Sequence, residues 1–126
     1  MALDFLSDVT SKSLAKTLDA SALRQRAISN NIANVETPGY KRNYVSFGDE
    51  LKQIMNADSG RERRQALDEL EPIRQTDVQS PSRADGNNVN IDAEIADLAK
   101  NSLKYKATAT ILEARGAMLR GAIQGR

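Results

Sequence analysis

Hydrophobic positions in the C-terminal third of the chain follow the repeat of a coiled coil. From Asn90 onwards, apolar or small residues recur at alternating intervals of four and three, an average spacing of about 3.5 residues that is typical of a helix–helix seam. Asn90 is a candidate N-cap, because its side chain can accept hydrogen bonds from the first turn. The pattern predicts a C-terminal core helix over residues 90–126. Its predicted seam comprises Ile91, Ile95, Leu98, Tyr105, Leu112, Leu119 and Ile123, with small residues at Ser102, Ala109 and Gly116.

A second apolar stripe runs along the same helix, largely away from the first. Its members are Ala99, Leu103, Ala107, Ile111, Ala114 and Met118. A helix that is apolar around much of its circumference is normally buried by several neighbours. In a short chain, these neighbours would come from other subunits, so this stripe is a candidate for intersubunit packing. The alternative is one helix of an ordinary bundle with alanine as filler, and the pattern leaves both interpretations open.

Residues 11–35 form a second helical pattern with a weaker seam. Its seam residues are Leu14, Leu18, Ile28 and Ile32. Polar Ser21 and Gln25 stand where a strict repeat requires apolar residues. We expect this N-terminal core helix to pair with the C-terminal one as a coiled-coil-like hairpin. Residues 1–10 are predicted to be a flexible N-terminus.

The first helix is followed by a run of turn-forming residues. Asn34 can adopt the left-handed conformation that caps a helix. Pro38 cannot continue a helix, and Thr37–Tyr40 has proline and glycine where a type II turn requires them. The pattern therefore predicts that the helix stops here and the chain turns.

Residues 36–89 are predicted to be an irregular middle segment that loops out between the two helices. Tyr44–Phe47 favours an extended stretch, and Asp49 is a candidate cap for a short helix. Residues 56–64 are polar and predicted to be mobile. Another short helix around Leu67 is expected to stop at Pro72, and residues 80–88 form a linker. The predicted fold is thus one mainly α domain with this irregular insert.

Composition narrows the possible functions. The 126 residues contain 4% aromatic residues and no Trp, which favours packing of Leu, Ile and Ala between helices. A net charge of +1 with interspersed charges argues against a nucleic-acid footprint. The chain has no Cys and no His, so Cys nucleophiles, His bases and common zinc sites are excluded. The run from Asp85 to Asn88 begins like a calcium loop but has Ala96 at the twelfth position. We therefore expect no enzymatic activity, cofactor or metal.

The targeting signals of a secreted or membrane protein are not expected in this chain. Residues 1–10 lack a basic region followed by a continuous apolar core, so they do not form a Sec-type signal peptide. No stretch approaches the roughly 20 apolar residues of a membrane helix. We expect no direct insertion into a membrane.

The run from Ser29 to Lys41 resembles the N-terminal signature of the bacterial flagellar rod and hook proteins. Residues Asp85–Asp92, continuing into Asn101–Tyr105, are similar to the C-terminal half of the proximal rod proteins of this family. The short length and the motif Val45–Phe47 also agree with this resemblance. The signature turn comprises Asn30, Asn31, Asn34, Thr37, Pro38, Gly39 and Tyr40.

This resemblance implies a structural subunit of the proximal rod, the shaft that crosses the periplasm and transmits torque. It also implies export by the flagellar type III apparatus without a cleaved signal, self-association in a helical array, and a position in the flagellar basal body. Implied partners are other rod proteins, the rod-base adaptor protein and the membrane ring. The alternative from another class is a self-contained helical-hairpin adaptor or chaperone-like binding module.

Overall fold

Two long helices dominate the computed structural model, which describes residues 8–125. Helix α1 is Val9–Ala33 and helix α4 is Ile91–Gln124. Between them lie strand β1 (Asn43–Ser46), helix α2 (Gly48–Met55), helix α3 (Gly60–Glu69) and strand β2 (Ile73–Thr76). The predicted mainly α hairpin with an intervening segment is confirmed.

Helix α4 has caps at both ends. The Asn90 side chain accepts a hydrogen bond of 3.2 Å from the Ala93 N–H, which confirms it as the N-cap. Asp92 and Glu94 lie in the first turn, where their charges suit the helix dipole. Gly125 ends the helix with a φ of 68°, a left-handed conformation that glycine adopts without strain. The helix therefore begins and ends within about two residues of the predicted range of 90–126.

The middle segment packs on α1 and does not loop out. Strands β1 and β2 form an antiparallel pair in which Val45 lies opposite Arg74. The main apolar core is Ala20, Ala27, Val45 and Phe47, with Leu23, Leu51 and Leu70 packed against it. Leu67 of α3 is also fully buried. The core of the chain therefore lies between α1 and the middle segment, because that segment carries the larger buried apolar side chains.

Several local predictions for the middle segment differ from the structure. Residues 60–64 are helical, since Ser59 caps α3 by accepting from the Glu62 N–H. Asp49 lies in the first turn of α2, whose N-cap is Phe47. Strand β2 was not predicted, because its four residues are all exposed and show no alternation.

The observed boundaries also differ slightly at α1. The helix covers Val9–Ala33 instead of 11–35, and Asn34 has a φ of −106°. The left-handed cap predicted at Asn34 is therefore wrong. Part of the predicted flexible N-terminus, residues 1–7, lies outside the described residues.

Candidate assembly surface and its supporting junction

Asn31 connects α1 to the segment that follows it. Its side chain is fully buried near the end of α1. The Asn31 Oδ1 accepts from the Asn43 N–H at 2.8 Å and from the Tyr40 hydroxyl at 3.2 Å. Its Nδ2 donates to the Asn43 carbonyl at 2.7 Å and to Glu94 Oε2 at 3.0 Å. The carboxamide thus pairs with Asn43 as a backbone peptide group would, and holds β1 against both long helices.

Glu94 is a buried carboxylate at the same junction. It is fully buried in the first turn of α4 and accepts from Arg42 Nε at 2.5 Å as well as from Asn31. The Arg42 guanidinium also lies over the Tyr44 ring, 5.9 Å from its centroid. A buried charge requires such partners, because it has lost its hydration. Glu94 therefore fixes the start of α4 relative to α1 and β1.

Asn87 closes the end of α1 from the linker. The side chain is fully buried, and its Nδ2 donates to the carbonyls of Asn34, Val35 and Thr37 at 2.9–3.1 Å. Its Oδ1 accepts from the Val89 N–H at 2.8 Å. Helix ends leave carbonyl groups without partners. Here the carbonyls of Asn30, Asn31 and Ile32 accept from the backbone N–H groups that follow them. Asn87 instead satisfies the carbonyl of the C-cap Asn34 and two carbonyls of the turn beyond it.

Asn88 extends the two-stranded sheet on the other side of the linker. Its Oδ1 accepts from the Arg42 N–H at 2.6 Å, and its Nδ2 donates to the Asp77 carbonyl at 2.7 Å. The Asp77 N–H in turn donates to the Arg42 carbonyl at 2.8 Å. The buried asparagine therefore continues the hydrogen bonding of β1 and β2 by one more pair.

Two aspartates stabilise the turns on either side of this linker. The Ser80 hydroxyl donates to Asp77 and holds the pKa of that carboxyl below its usual value. The Asn87 backbone N–H donates to Asp85 and lowers the pKa of Asp85 in the same way. Both carboxyl groups are therefore ionised at neutral pH, where they can accept these hydrogen bonds.

The type II turn predicted at Thr37–Tyr40 is confirmed. The Tyr40 N–H donates to the Thr37 carbonyl at 3.3 Å, and Gly39 has a φ of +73°. Its N–H donates to the Asp85 carbonyl at 2.8 Å. A Cβ built on Gly86 would lie 3.4 Å from the Gly39 Cα. The signature turn and the linker therefore meet backbone to backbone.

Replacing Gly39 by Val is expected to destabilise the chain through its backbone. A Cβ at this position would meet no atom within 4 Å, so the main cost is the positive φ. We expect a loss of about 1–2 kcal/mol in the free energy of unfolding, measured with urea. Gly48→Val is the control, since its Cβ also meets open space and its φ is not positive. Equal effects of the two substitutions would contradict this explanation.

The contact between α1 and α4 is built on a polar column. Glu94, Asn101 and Thr108 are buried on α4 at intervals of seven residues, and Arg115 continues the series half-buried. Asn101 Nδ2 donates to the Ser21 carbonyl at 2.9 Å and to Gln25 Oε1 at 3.0 Å. These contacts show that the two helices are antiparallel, because Glu94 meets the end of α1 and Arg115 meets its start.

Arg115 and Thr108 complete this polar column. Arg115 donates to Asp8 Oδ2 at 2.5 Å and to Ser11 Oγ at 3.4 Å. The Thr108 hydroxyl donates to the Lys104 carbonyl of its own helix at 2.7 Å. Each member of the column thus has at least one hydrogen-bond partner, which allows these polar side chains to lie in the contact between the helices. Ser21 and Gln25, which interrupt the apolar repeat of α1, were the sequence signal for it.

The predicted seam coincides with this contact only in part. Ile28 is buried, and Leu14, Leu18, Ile32, Leu98, Leu112 and Leu119 are half-buried. Ile91, Ile95, Tyr105 and Ile123 are exposed instead. The polar column lies one residue before the series Ile95, Ser102, Ala109, Gly116 and Ile123. The helix presents the polar column to α1 because three of its four members find partners across that contact.

Replacing Asn101 by Leu tests the energetic role of the column. Asn101 Oδ1 has no hydrogen-bond partner among residues 8–125, and Leu has nearly the same shape. A buried asparagine in a helix pair sets the register at a cost in stability. We expect Asn101→Leu to raise the free energy of unfolding by about 1 kcal/mol, measured by urea denaturation. A loss of similar size would show that the asparagine stabilises the pair.

The second stripe of α4 lies on the surface of the single chain. Its large residues Leu103, Ile111 and Met118 are 70%, 52% and 72% exposed, and its alanines are exposed as well. Scattered apolar residues are normal on a protein surface, whereas an ordered apolar row marks a contact site. We therefore call Ala99, Leu103, Ala107, Ile111, Ala114 and Met118 the outer stripe.

Comparison with known proteins connects these features to a family. Residues 13–41, which cover most of α1 and the signature turn, match the family described as flagella basal body rod protein. The flagellar basal body rod protein FlgB of Borreliella burgdorferi is 38% identical over 103 residues, which cover 70% of this chain and 76% of that protein. The FlgB protein of Salmonella typhimurium is 35% identical over 121 residues, 84% of each chain. That of Bacillus subtilis is 31% identical over 116 residues, 78% and 80% of the two chains.

The chain belongs to the FlgB family. It is a structural protein of the bacterial flagellum, a subunit of the basal-body rod that assembles with other rod components. The alternative of a self-contained adaptor is not favoured, because these relatives cover most of the chain.

The FlgB-family signature turn separates into buried and exposed positions. Asn31 is buried and Tyr40 is half-buried, and both take part in the junction. The Asn34 side chain donates to the Asn30 carbonyl at 2.8 Å and accepts from the Thr37 hydroxyl at 3.1 Å. Asn30, Thr37, Pro38 and Gly39 are exposed. The hydrogen bonds of Asn87, Asn88 and Glu94 were not predicted, because the sequence placed the two asparagines only in the linker and the glutamate only in the first turn of α4.

Two further observations concern ligands and membranes. Within residues 8–125, no group of three acidic or other metal-ligating side chains could hold a metal ion. No helix in this part of the chain is long and apolar enough to cross a membrane.

Proposed function

We propose that this chain is a subunit of the proximal rod and that its terminal helices pack into an open helical array that transmits torque. The observation that carries the proposal is the exposed outer stripe on α4, opposite the contact with α1. Burying apolar surface contributes roughly 25 cal/mol per Å². Repeated along many subunits, contacts of this kind sum to a stiff shaft.

The junction of α1, β1 and the linker supports the same role. It holds Asn31, Asn87 and Glu94 without exposure to water, so the two long helices leave it in a fixed relative orientation. A torque-bearing subunit requires such a rigid connection, because a loose hairpin would absorb rotation. In this role the chain needs no catalytic site or cofactor, and we propose that it has neither.

The proposal extends to location and partners. The rod would cross the periplasm at the base of the flagellum, and the chain would reach it through the flagellar type III export apparatus without a cleaved signal. Contacts would be made with other rod proteins, the rod-base adaptor protein and the membrane ring. A rod subunit is expected to self-associate in a helical array, whereas an adaptor would remain a monomer or a closed dimer.

Deletion of the gene tests the proposal directly. We expect cells without this chain to lack the rod in electron cryotomograms and to be non-motile, and a plasmid copy to restore both. The chain should remain inside cells whose type III export apparatus is inactivated. Complete rods in the deletion strain would contradict the proposed function.

A further inference from the structure

A groove on α4, distinct from the outer stripe, has the form of a receptor for that stripe. Two concavities of about 390 and 360 Å³ follow one side of the contact between α1 and α4. On α4 their linings include Ser102 in the first and Ala109 and Gly116 in the second. These three small residues recur every seven positions. We call them, with the adjoining surface of α1, the small-residue groove.

The groove is incomplete in the single chain. Ser21 Oγ and Asn101 Oδ1 belong to side chains that are 1% and 4% exposed, and both residues line the first concavity. Neither atom has a hydrogen-bond partner within the described part of the chain. Buried polar atoms are normally satisfied. The groove therefore suits an occupant that brings polar groups to its floor as well as apolar surface.

The spacing of the large residues in the outer stripe is within one residue of the spacing of the small residues in the groove. Leu103, Ile111 and Met118 project at intervals of eight and seven residues, and Ser102, Ala109 and Gly116 recur every seven. Large side chains seated against small ones are the arrangement of knobs in holes between helices. Lys104 flanks the outer stripe and is exposed, so its ammonium group can supply a donor to the groove floor.

We infer that the small-residue groove of one copy binds the outer stripe of a second copy, with Ile111 seated against Ala109. This inference rests on the proposed function and names the contact through which the array grows. Ile111 and Ala109 lie about 160° apart around α4, at roughly 100° per residue. One copy can therefore use both surfaces at once, towards two different neighbours.

The symmetry of this contact decides the kind of assembly. When the contact joins two different surfaces, each added copy uses one of its two surfaces and leaves the other free for the next copy. Pairing of stripe with stripe would stop at a dimer. The separation of the two surfaces on one helix thus leads to an open series of subunits.

Cysteine cross-linking tests the inference, because the chain contains no cysteine of its own. Cells would carry Ile111→Cys, Ala109→Cys or both as the only copy, and isolated basal bodies would be oxidised. Two residues apart on one helix, the two thiols face different directions and cannot join within a chain. We expect a ladder of two, three and more linked chains with the double variant, and single chains with either variant alone.

Each other outcome has a defined meaning. Dimers from Ile111→Cys alone would show stripe against stripe and overturn the inference, as would unlinked double-variant chains in complete rods. These results leave the proposed function intact if deletion of the gene removes the rod. The two tests can also separate in the other direction. If the double variant forms a ladder but the deletion strain still swims with complete rods, the proposed function is overturned and the contact between stripe and groove is retained.

Filling the groove provides a second measurement. A Cβ at Gly116 would meet only Arg120 Nη1, at 3.6 Å, so Gly116→Leu is expected to leave the chain folded. It should reduce the number of assembled rods by roughly tenfold or more, because overpacking weakens every repeated contact. Gly48→Leu is the matched control, since its Cβ meets nothing within 4 Å. Normal rod numbers with folded Gly116→Leu would overturn the inference.

Discussion

Replacing Ala107 by Glu is expected to abolish rod assembly while leaving the single chain folded. Ala107 is exposed in the middle of the outer stripe, so a carboxylate there stays hydrated in the free subunit. In an assembled rod the same group would be buried without a partner, which costs several kcal/mol at each contact. Because every subunit repeats the contact, the penalty accumulates along the array.

Two measurements separate assembly from folding in this variant. Circular dichroism and urea unfolding of the purified chain should match the unmodified protein within about 0.5 kcal/mol. Electron microscopy of basal bodies should show no rods. Ala84→Glu changes another exposed alanine, in the linker, and is the matched control that should assemble normally. Rods of normal length with Ala107→Glu would mean that the alanines of the stripe only favour helix formation.

Replacing Asn31 by Ala is expected to destabilise the single chain strongly. The substitution removes four hydrogen bonds at once. The peptide group of Asn43 would lose both of its partners, and the buried carboxylate of Glu94 would keep only Arg42. Leaving buried polar groups unpaired costs about 1–3 kcal/mol each. We therefore expect a decrease of about 3 kcal/mol or more in the free energy of unfolding.

The neighbouring residue provides the control for this prediction. Asn30 is exposed on the same turn of α1, and its substitution by Ala changes the helix composition in the same way. Urea denaturation should show a change below about 0.5 kcal/mol for Asn30→Ala. Similar losses for the two variants would show that the effect comes from the helix end as a whole and not from the buried carboxamide.

Features that depend on neighbouring residues in the chain could be predicted from the sequence. The N-cap at Asn90 and the turn at Thr37–Tyr40 follow from local geometry, and both are confirmed. The long helices follow from apolar periodicity. Strand β2 could not be predicted in this way, since its exposed residues are held only by backbone pairing with β1.

The supporting junction could not be predicted either, because it joins residues that are far apart in the sequence. Asn31 and Glu94 are 63 positions apart, and Asn87 reaches carbonyl groups about 50 positions earlier. An asparagine looks the same in the sequence whether it caps a turn or replaces a peptide group in a sheet. The polar column was not predicted, because the apolar residues beside it on α4 outnumber its four members. Its interval of seven, together with Ser21 and Gln25 on α1, was nevertheless readable.

The close approach of Gly39 to Gly86 has a consequence for how this chain can vary. The two strands of chain that lead into and out of the middle segment meet at one point, joined by the hydrogen bond from the Gly39 N–H to the Asp85 carbonyl. A segment whose ends adjoin behaves as an insertion in a continuous scaffold. Residues can therefore be added or removed at its exposed tip, near Asn56 and Asp58, without altering how α1 meets α4. The same pair of helices can thus serve as the shaft of subunits that differ greatly in outer diameter.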